Sequence, residues 1–216
     1  PDHAYIGTWG FGVIECLLND TLYLFDASNS SLRPSILDDV SVQVGGMAFD
    51  ENRNLWLTNS SANDILSVRK ADGEWKSFSF GSAGTGYYAG HLVIDKSGQK
   101  WIMTRDLSLL VYNDNNTIDN TTDDQYKRLT SAAGNGALSG GSVTAMAVDN
   151  EGQLWLGTGE GVMVIYSPES VFTGGNFDAQ KIKVEEGGFL YYLLFSKKWS
   201  KTNGWAIKQG RAFIRK

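Results

Sequence analysis

Two imidazoles, His3 and His91, and one thiol, Cys16, are all the chain offers in the way of histidine or thiolate ligands and of the imidazole or thiol members of a nucleophile–base pair. A histidine-rich metal centre needs three or four such groups, and a disulfide needs two cysteines, so neither is available. No Gly-x-Ser-x-Gly elbow, His-Glu-x-x-His helix or phosphate-cradling Gly-x-x-x-x-Gly-Lys loop occurs. The chain is therefore expected to be non-enzymatic and to carry no cofactor. Cys16, within Val-Ile-Glu-Cys-Leu, reads as a small buried hydrophobe. The oxygen-rich stretch at residues 114–124 has the composition of a calcium loop, but Ile118 falls where a ligand would be needed, so it is expected as a solvated hairpin. The remaining candidates are for binding. Trp9 beside Gly10 reads first as a residue packed between structural units, and could also stack on a sugar ring. His91 would open an inner strand, Arg105 could hold an anionic group, and Glu160 would stand at an exposed corner.

The elements that must position these residues announce themselves as a repeat. Asp50, Asp95 and Asp149 each precede a tryptophan by six positions, at Trp56, Trp101 and Trp155. Each aspartate closes an apolar strand, and a short carboxylate there can bond the backbone of a tight turn. The tryptophan then sits in a second strand. The tryptophans are 45 and 54 residues apart, and a four-stranded propeller blade takes about 40–50 residues. Further strands are expected near 44–50, 54–59, 65–69 and 75–80; near 91–95, 100–104, 109–113 and 126–130; and near 142–148, 153–158, 162–166 and 181–185. The expected fold is an all-β, partial β-propeller. It has an incomplete blade at 1–38, complete blades at about 40–88, 89–140 and 141–188, and the start of a next blade at 189–194. The first segment supplies only later strands of its blade, and 189–194 could complete it.

Composition agrees. With 7 Trp, 9 Tyr, 10 Phe and 25 Gly against 3 Pro in 216 residues, the chain suits short strands and tight turns. The net charge of −5 and the lack of a basic stripe argue against nucleic acid as a partner. No apolar run is long enough for a membrane-spanning helix.

The stretch from Val143 to Val162, with its Asp-Asn-Glu-Gly-Gln-Leu-Trp-Leu-Gly-Thr core, resembles the two-component-regulator propeller repeat. Ser167 to Glu185, together with residues 114–126 and the Tyr5-Ile-Gly-Thr-Trp-Gly segment, resembles the PorZ family of type IX secretion components. That resemblance implies the second propeller of a longer surface protein, outside the cytoplasm of a Gram-negative bacterium. It also implies a part in delivering anionic lipopolysaccharide, with lipopolysaccharide or another glycan and secretion proteins as partners. The other reading is the extracytoplasmic sensor propeller of a hybrid histidine kinase that binds an oligosaccharide. After Leu194 the resemblance stops. Residues 195–216 form a basic tail, expected to be read out of frame, and the chain a truncated gene product. The exposed blade faces that this leaves are expected to close into a four-bladed ring, with 189–194 against residues 4–8, or to self-associate.

Overall fold

A computed structural model describes residues 3–84, 88–104, 108–139, 143–186 and 189–192, with side chains up to residue 182. The expected Arg105, residues 140–142 and the tail at 195–216 lie outside the described residues. Among the described residues strands dominate, and the two helical turns, Gly81–Ala83 and Pro168–Val171, are short 3-10 segments.

The first sheet joins β1 (His3–Gly7), β3 (Val13–Leu17) and β4 (Leu22–Phe25). Between them, β2 (Trp9–Gly10) crosses to the next sheet. That second sheet runs β2, β5 (Val42–Phe49), β6 (Leu55–Ser60), β7 (Leu66–Arg69) and β8 (Trp75–Phe78). The third is β9 (Ala89–Ile94), β10 (Lys100–Thr104), β11 (Leu109–Asn113) and β12 (Gln125–Leu129). The fourth is β13 (Val143–Val148), β14 (Leu154–Thr158), β15 (Gly161–Ile165) and β16 (Gln180–Lys181). The second, third and fourth sheets are antiparallel meanders built outward from the inner strands β5, β9 and β13, the first sheet supplies the later strands of its blade, and successive sheets pack face to face. This is a partial β-propeller.

The Asp…Trp repeat acts through one hydrogen-bonded motif used three times. Trp56 Nε1 donates to Asp50 Oδ2 at 2.9 Å, Trp101 to Asp95 at 2.8 Å and Trp155 to Asp149 at 2.6 Å. The other carboxylate oxygen accepts the backbone N–H four residues on, from Asn54, Gln99 and Gln153. One carboxylate thus closes the turn and fixes the ring of the following strand. Three residues after each aspartate the backbone turns left-handed, at Arg53 (φ 66°), Gly98 (φ 79°) and Gly152 (φ 91°). Glycine suits that conformation, and Arg53 adopts it against the usual steric cost.

Burial separates the three rings, although their bonding is alike. Trp56 and Trp101 are fully buried because the next blade covers them. Trp155 keeps a partly exposed ring. In the first sheet Tyr5 takes the tryptophan's place, pairing with Glu15 as Trp101 pairs with Val111.

The inner strands of neighbouring blades approach at backbone distance. A Cβ on Gly45 would lie 2.2 Å from Ala89 O, and one on Gly46 would lie 2.6 Å from Leu92 N. Only glycine permits this packing of β5 on β9. Thr58 Oγ1 then donates across the seam to Gly90 O at 2.8 Å.

Four expectations need correction. The outer strand expected at 181–185 divides: Gln180–Lys181 pairs with β15, while β17 (Lys183–Glu186) pairs with β18 (Phe189–Tyr192). The segment expected to open a next blade, or to join residues 4–8, is thus the return arm of a hairpin over its described residues 189–192. The Gly187-Gly188 pair that separates the two arms in sequence favours this local pairing over a distant one. Cys16 is partly exposed, because its position in the alternation of β3 turns it away from the second sheet. Asp114, expected in a solvated hairpin, is buried against Lys100 at 2.6 Å.

Candidate functional site

The corners between second and third strands, and the connections into each inner strand, share one face. The first corner is built around Thr8. Its hydroxyl donates to Gly12 O at 2.9 Å and accepts from the Phe11 N–H at 2.9 Å. Gly12 adopts φ 85°, and a Cβ there would meet Phe25 O at 2.1 Å, so the corner requires glycine. The tight corner projects Trp9 and Gly10 onto the inner edge of the second sheet, where they pair with Gln43 and Val42. The Trp9 ring lies 5.4 Å from the ring of Tyr88 and tilted by 47°. It is 52% exposed, and Phe11 beside it is 74% exposed. Trp9 therefore both packs against Tyr88 of the third sheet's entry and stays half exposed.

The other described candidates are His91 and Glu160. His91 occupies the place that Gly46 and Ala145 take in the adjoining inner strands, four residues before the aspartate. Its side chain is exposed, yet enough protein surrounds the imidazole that desolvation lowers its pKa from the ordinary histidine value. Glu160 is tied at its corner by Lys181, whose Nζ lies 2.8 Å from Oε2. No hydrogen bond, ion pair or ring contact joins Trp9, His91 and Glu160 among the described residues.

The opposite face holds a groove that sequence reasoning missed. About 650 Å³ in volume, it is lined by the Asp50 turn (Asn52 and Asn54), the β7–β8 turn (Lys70 and Asp72) and the β11–β12 loop (Asn116 and Asp119). Its cation is already committed, since Lys70 lies 3.1 Å from Asp119 and also pairs with Glu74. The signal available was the amide-rich stretch at 114–124, but nothing local shows that a turn from the preceding blade faces it.

Buried charge lies in the seams between blades. Between the first two, Glu15 is 4% exposed and meets Tyr5 OH, His3 Nδ1 at 2.7 Å and Arg69 at 3.6 Å. Burial pushes the Glu15 carboxyl up. The hydrogen bonds from Tyr5 and His3 and the Arg69 charge outweigh it and hold the pKa below 4.5. A carboxylate with a lowered folded pKa stabilises the fold above its unfolded value and loses that contribution as pH falls through the folded value. Thermal melts taken downward from pH 6 should therefore fall more steeply below pH 4.5 in the wild-type chain than in Glu15→Gln; parallel curves would contradict this.

Comparison with known proteins agrees with this architecture. Residues 137–160 match the family described as two component regulator propeller. The chain is similar in structure to PorZ, described as an essential bacterial surface component of the type-IX secretion system of Porphyromonas gingivalis, with a TM-score of 0.77 and 24% identity over 90% of this chain. It spans 27% of that PorZ chain. The extracellular domain of a putative hybrid two component system from B. thetaiotaomicron aligns with a TM-score of 0.54 at 18% identity, over 78% of this chain and 20% of that one. Virginiamycin B lyase from Staphylococcus aureus aligns with a TM-score of 0.53 at 11% identity, over 86% of this chain and 64% of that one. At these identities the likeness is one of fold. Among curated proteins, no sequence matches. The similar PorZ and hybrid-system structures are a surface component and an extracellular domain, and among the described residues no helix is long and apolar enough to cross a membrane.

Proposed function

We propose that this chain is a non-catalytic recognition propeller of the Gram-negative cell surface that works in the manner of PorZ. In this reading it binds the sugar portion of anionic lipopolysaccharide at the corner face and serves secretion. The observation that carries the proposal is the Trp9 ring, half exposed on a rigid two-strand corner and backed by Tyr88. An aromatic face of this kind stacks on the C–H face of a sugar ring while its far side stays packed. Its backbone is held by Gly12 and by β5, so little ordering has to accompany binding. The likeness to PorZ over 90% of this chain supports the choice of setting.

The test is direct binding of purified lipopolysaccharide and a glycan array, with pull-downs of secretion components alongside. Trp9→Ala is expected to weaken glycan binding at least tenfold while shifting the melting temperature little, because half of the ring is already in water. Unchanged binding would remove Trp9 from the site, and no lipopolysaccharide binding by the wild-type chain would end the proposal. The second reading, a sensor propeller of a hybrid kinase, is favoured by the family match at residues 137–160. Selective binding of small oligosaccharides would support it, as would a gene that continues into an immunoglobulin-like domain and a membrane span.

A further inference from the structure

Asn135 and Gly136 form the pair in which an asparagine most readily loses its amide, because glycine leaves the backbone nitrogen after it sterically open. The pair stands in the loop that leads from β12 to β13, and the fold demands both members. Gly136 adopts φ 99°, and a Cβ there would lie 2.8 Å from the Leu129 side chain. Asn135 Nδ2 donates to Arg128 O at 3.2 Å and to Thr130 Oγ1 at 3.1 Å, which a carboxylate in its place could not do. Asp178 closes on the pair from the connection between β15 and β16. Its Oδ1 accepts the Gly136 N–H at 2.9 Å and its Oδ2 the Gly134 N–H at 2.7 Å. The Ala179 N–H donates to Gly136 O at 2.8 Å. Phe177 and Ala179, on either side of Asp178, are buried in the core shared by the third and fourth sheets, so the carboxylate is held in place.

We propose that Asn135 is a deamidation site that Asp178 holds shut. In that reaction the Gly136 nitrogen gives its proton to hydroxide and attacks Asn135 Cγ. A ring C–N bond forms, the Cγ–Nδ2 bond breaks, and Nδ2 leaves as ammonia with a proton taken from water. Water then opens the cyclic imide to aspartate or isoaspartate. Asp178 opposes the first step in two ways. It engages the proton that must be lost, and its negative charge disfavours an amide anion beside it. The two bonds from Nδ2 restrain Cγ as well. Once the latch fails, the change is one-way. A carboxylate at position 135 faces the Arg128 carbonyl and the Thr130 hydroxyl without a proton to give the carbonyl, and it adds a second negative charge next to the turn that Asp178 binds. The modification therefore loosens the β15–β16 connection from the loop that enters the fourth sheet.

Mass spectrometry of the peptide that holds residue 135 measures the rate, read apart from the peptide with Asn203 and Gly204, the other such pair in the sequence. At mildly alkaline pH the folded wild-type chain should deamidate at Asn135 at least tenfold more slowly than the same chain unfolded in urea. Asp178→Ala should raise the rate in the folded chain at least tenfold, with its circular dichroism unchanged. Should that variant unfold, hydrogen exchange on the wild type decides, because the Gly136 amide should then be protected; exchange as fast as that of an exposed amide would overturn the inference. Asn135→Asp, which stands for the product, should lower the melting temperature, and an unchanged value would refute the loosening. A wild-type rate equal to that in urea would overturn the proposal outright. So would an Asp178→Ala chain that stays folded and deamidates no faster.

Discussion

Trp56→Ala is expected to lower the unfolding free energy by about 3–5 kcal/mol, the range for truncating a large buried aromatic. The ring stacks on Phe78 at 5.3 Å and lies 6.1 Å from Tyr112, which belongs to the next blade. It also carries the ammonium of Lys100 4.0 Å from its centroid. Truncation opens a cavity in the seam, strips Asp50 of its indole donor and leaves a buried cation without its π face. Trp155→Ala removes the same chemical group with the same hydrogen bond, but from a ring that solvent already reaches. Its cost should be clearly smaller. Urea titrations of the two variants measure the difference, and equal losses would show that the seam adds nothing beyond the Asp…Trp clasp.

A second large effect is expected at the ion pair in that seam. Lys100 and Asp114 are each 2% exposed and meet at 2.6 Å. Burial pushes the Lys100 amine below its ordinary pKa, while the hydrogen bond and charge of Asp114 pull it back up. Removing one partner strands a charge where water cannot reach it, so Lys100→Leu or Asp114→Ala alone should each cost about 3–5 kcal/mol. The double variant should recover most of that loss. The protein supplies the precedent, since in the second sheet the corresponding places hold Leu55 and Ala71, with no ions. A double-mutant cycle by chemical denaturation gives the coupling, and additive losses would show that the pair is not energetically linked.

This pair also marks where sequence reading stops. Lys100 precedes Trp101 in a strand of otherwise ordinary alternation, and Asp114 opens an acidic loop that looks fully solvated. Which charges are buried depends on the blade packed beside them, fourteen residues away or in another repeat altogether. The groove at Lys70 and Asp119 was hidden for the same reason, because its walls come from two blades. The division of residues 181–192 into two pairings was equally out of reach, since hairpin and blade extension use the same alternating pattern.

What the sequence determined by itself is the repeating unit. An aspartate six residues before a tryptophan is a local device: one carboxylate closes a turn and reaches the indole of the next strand, with every partner within six positions. Repeated at blade spacing, with apolar strands between, it dictates an all-β propeller and leaves no raw material for a histidine metal centre. Trp9 and Glu160 were also placed at corners by local turn chemistry. Only the tertiary structure decided what those residues face. It put Tyr5 in the tryptophan's role, held Trp9 between packing and exposure, and buried Lys100. The reason is physical. Turn closure is set by short-range hydrogen bonds, whereas burial is set by a neighbouring sheet whose identity at each position the local sequence does not encode.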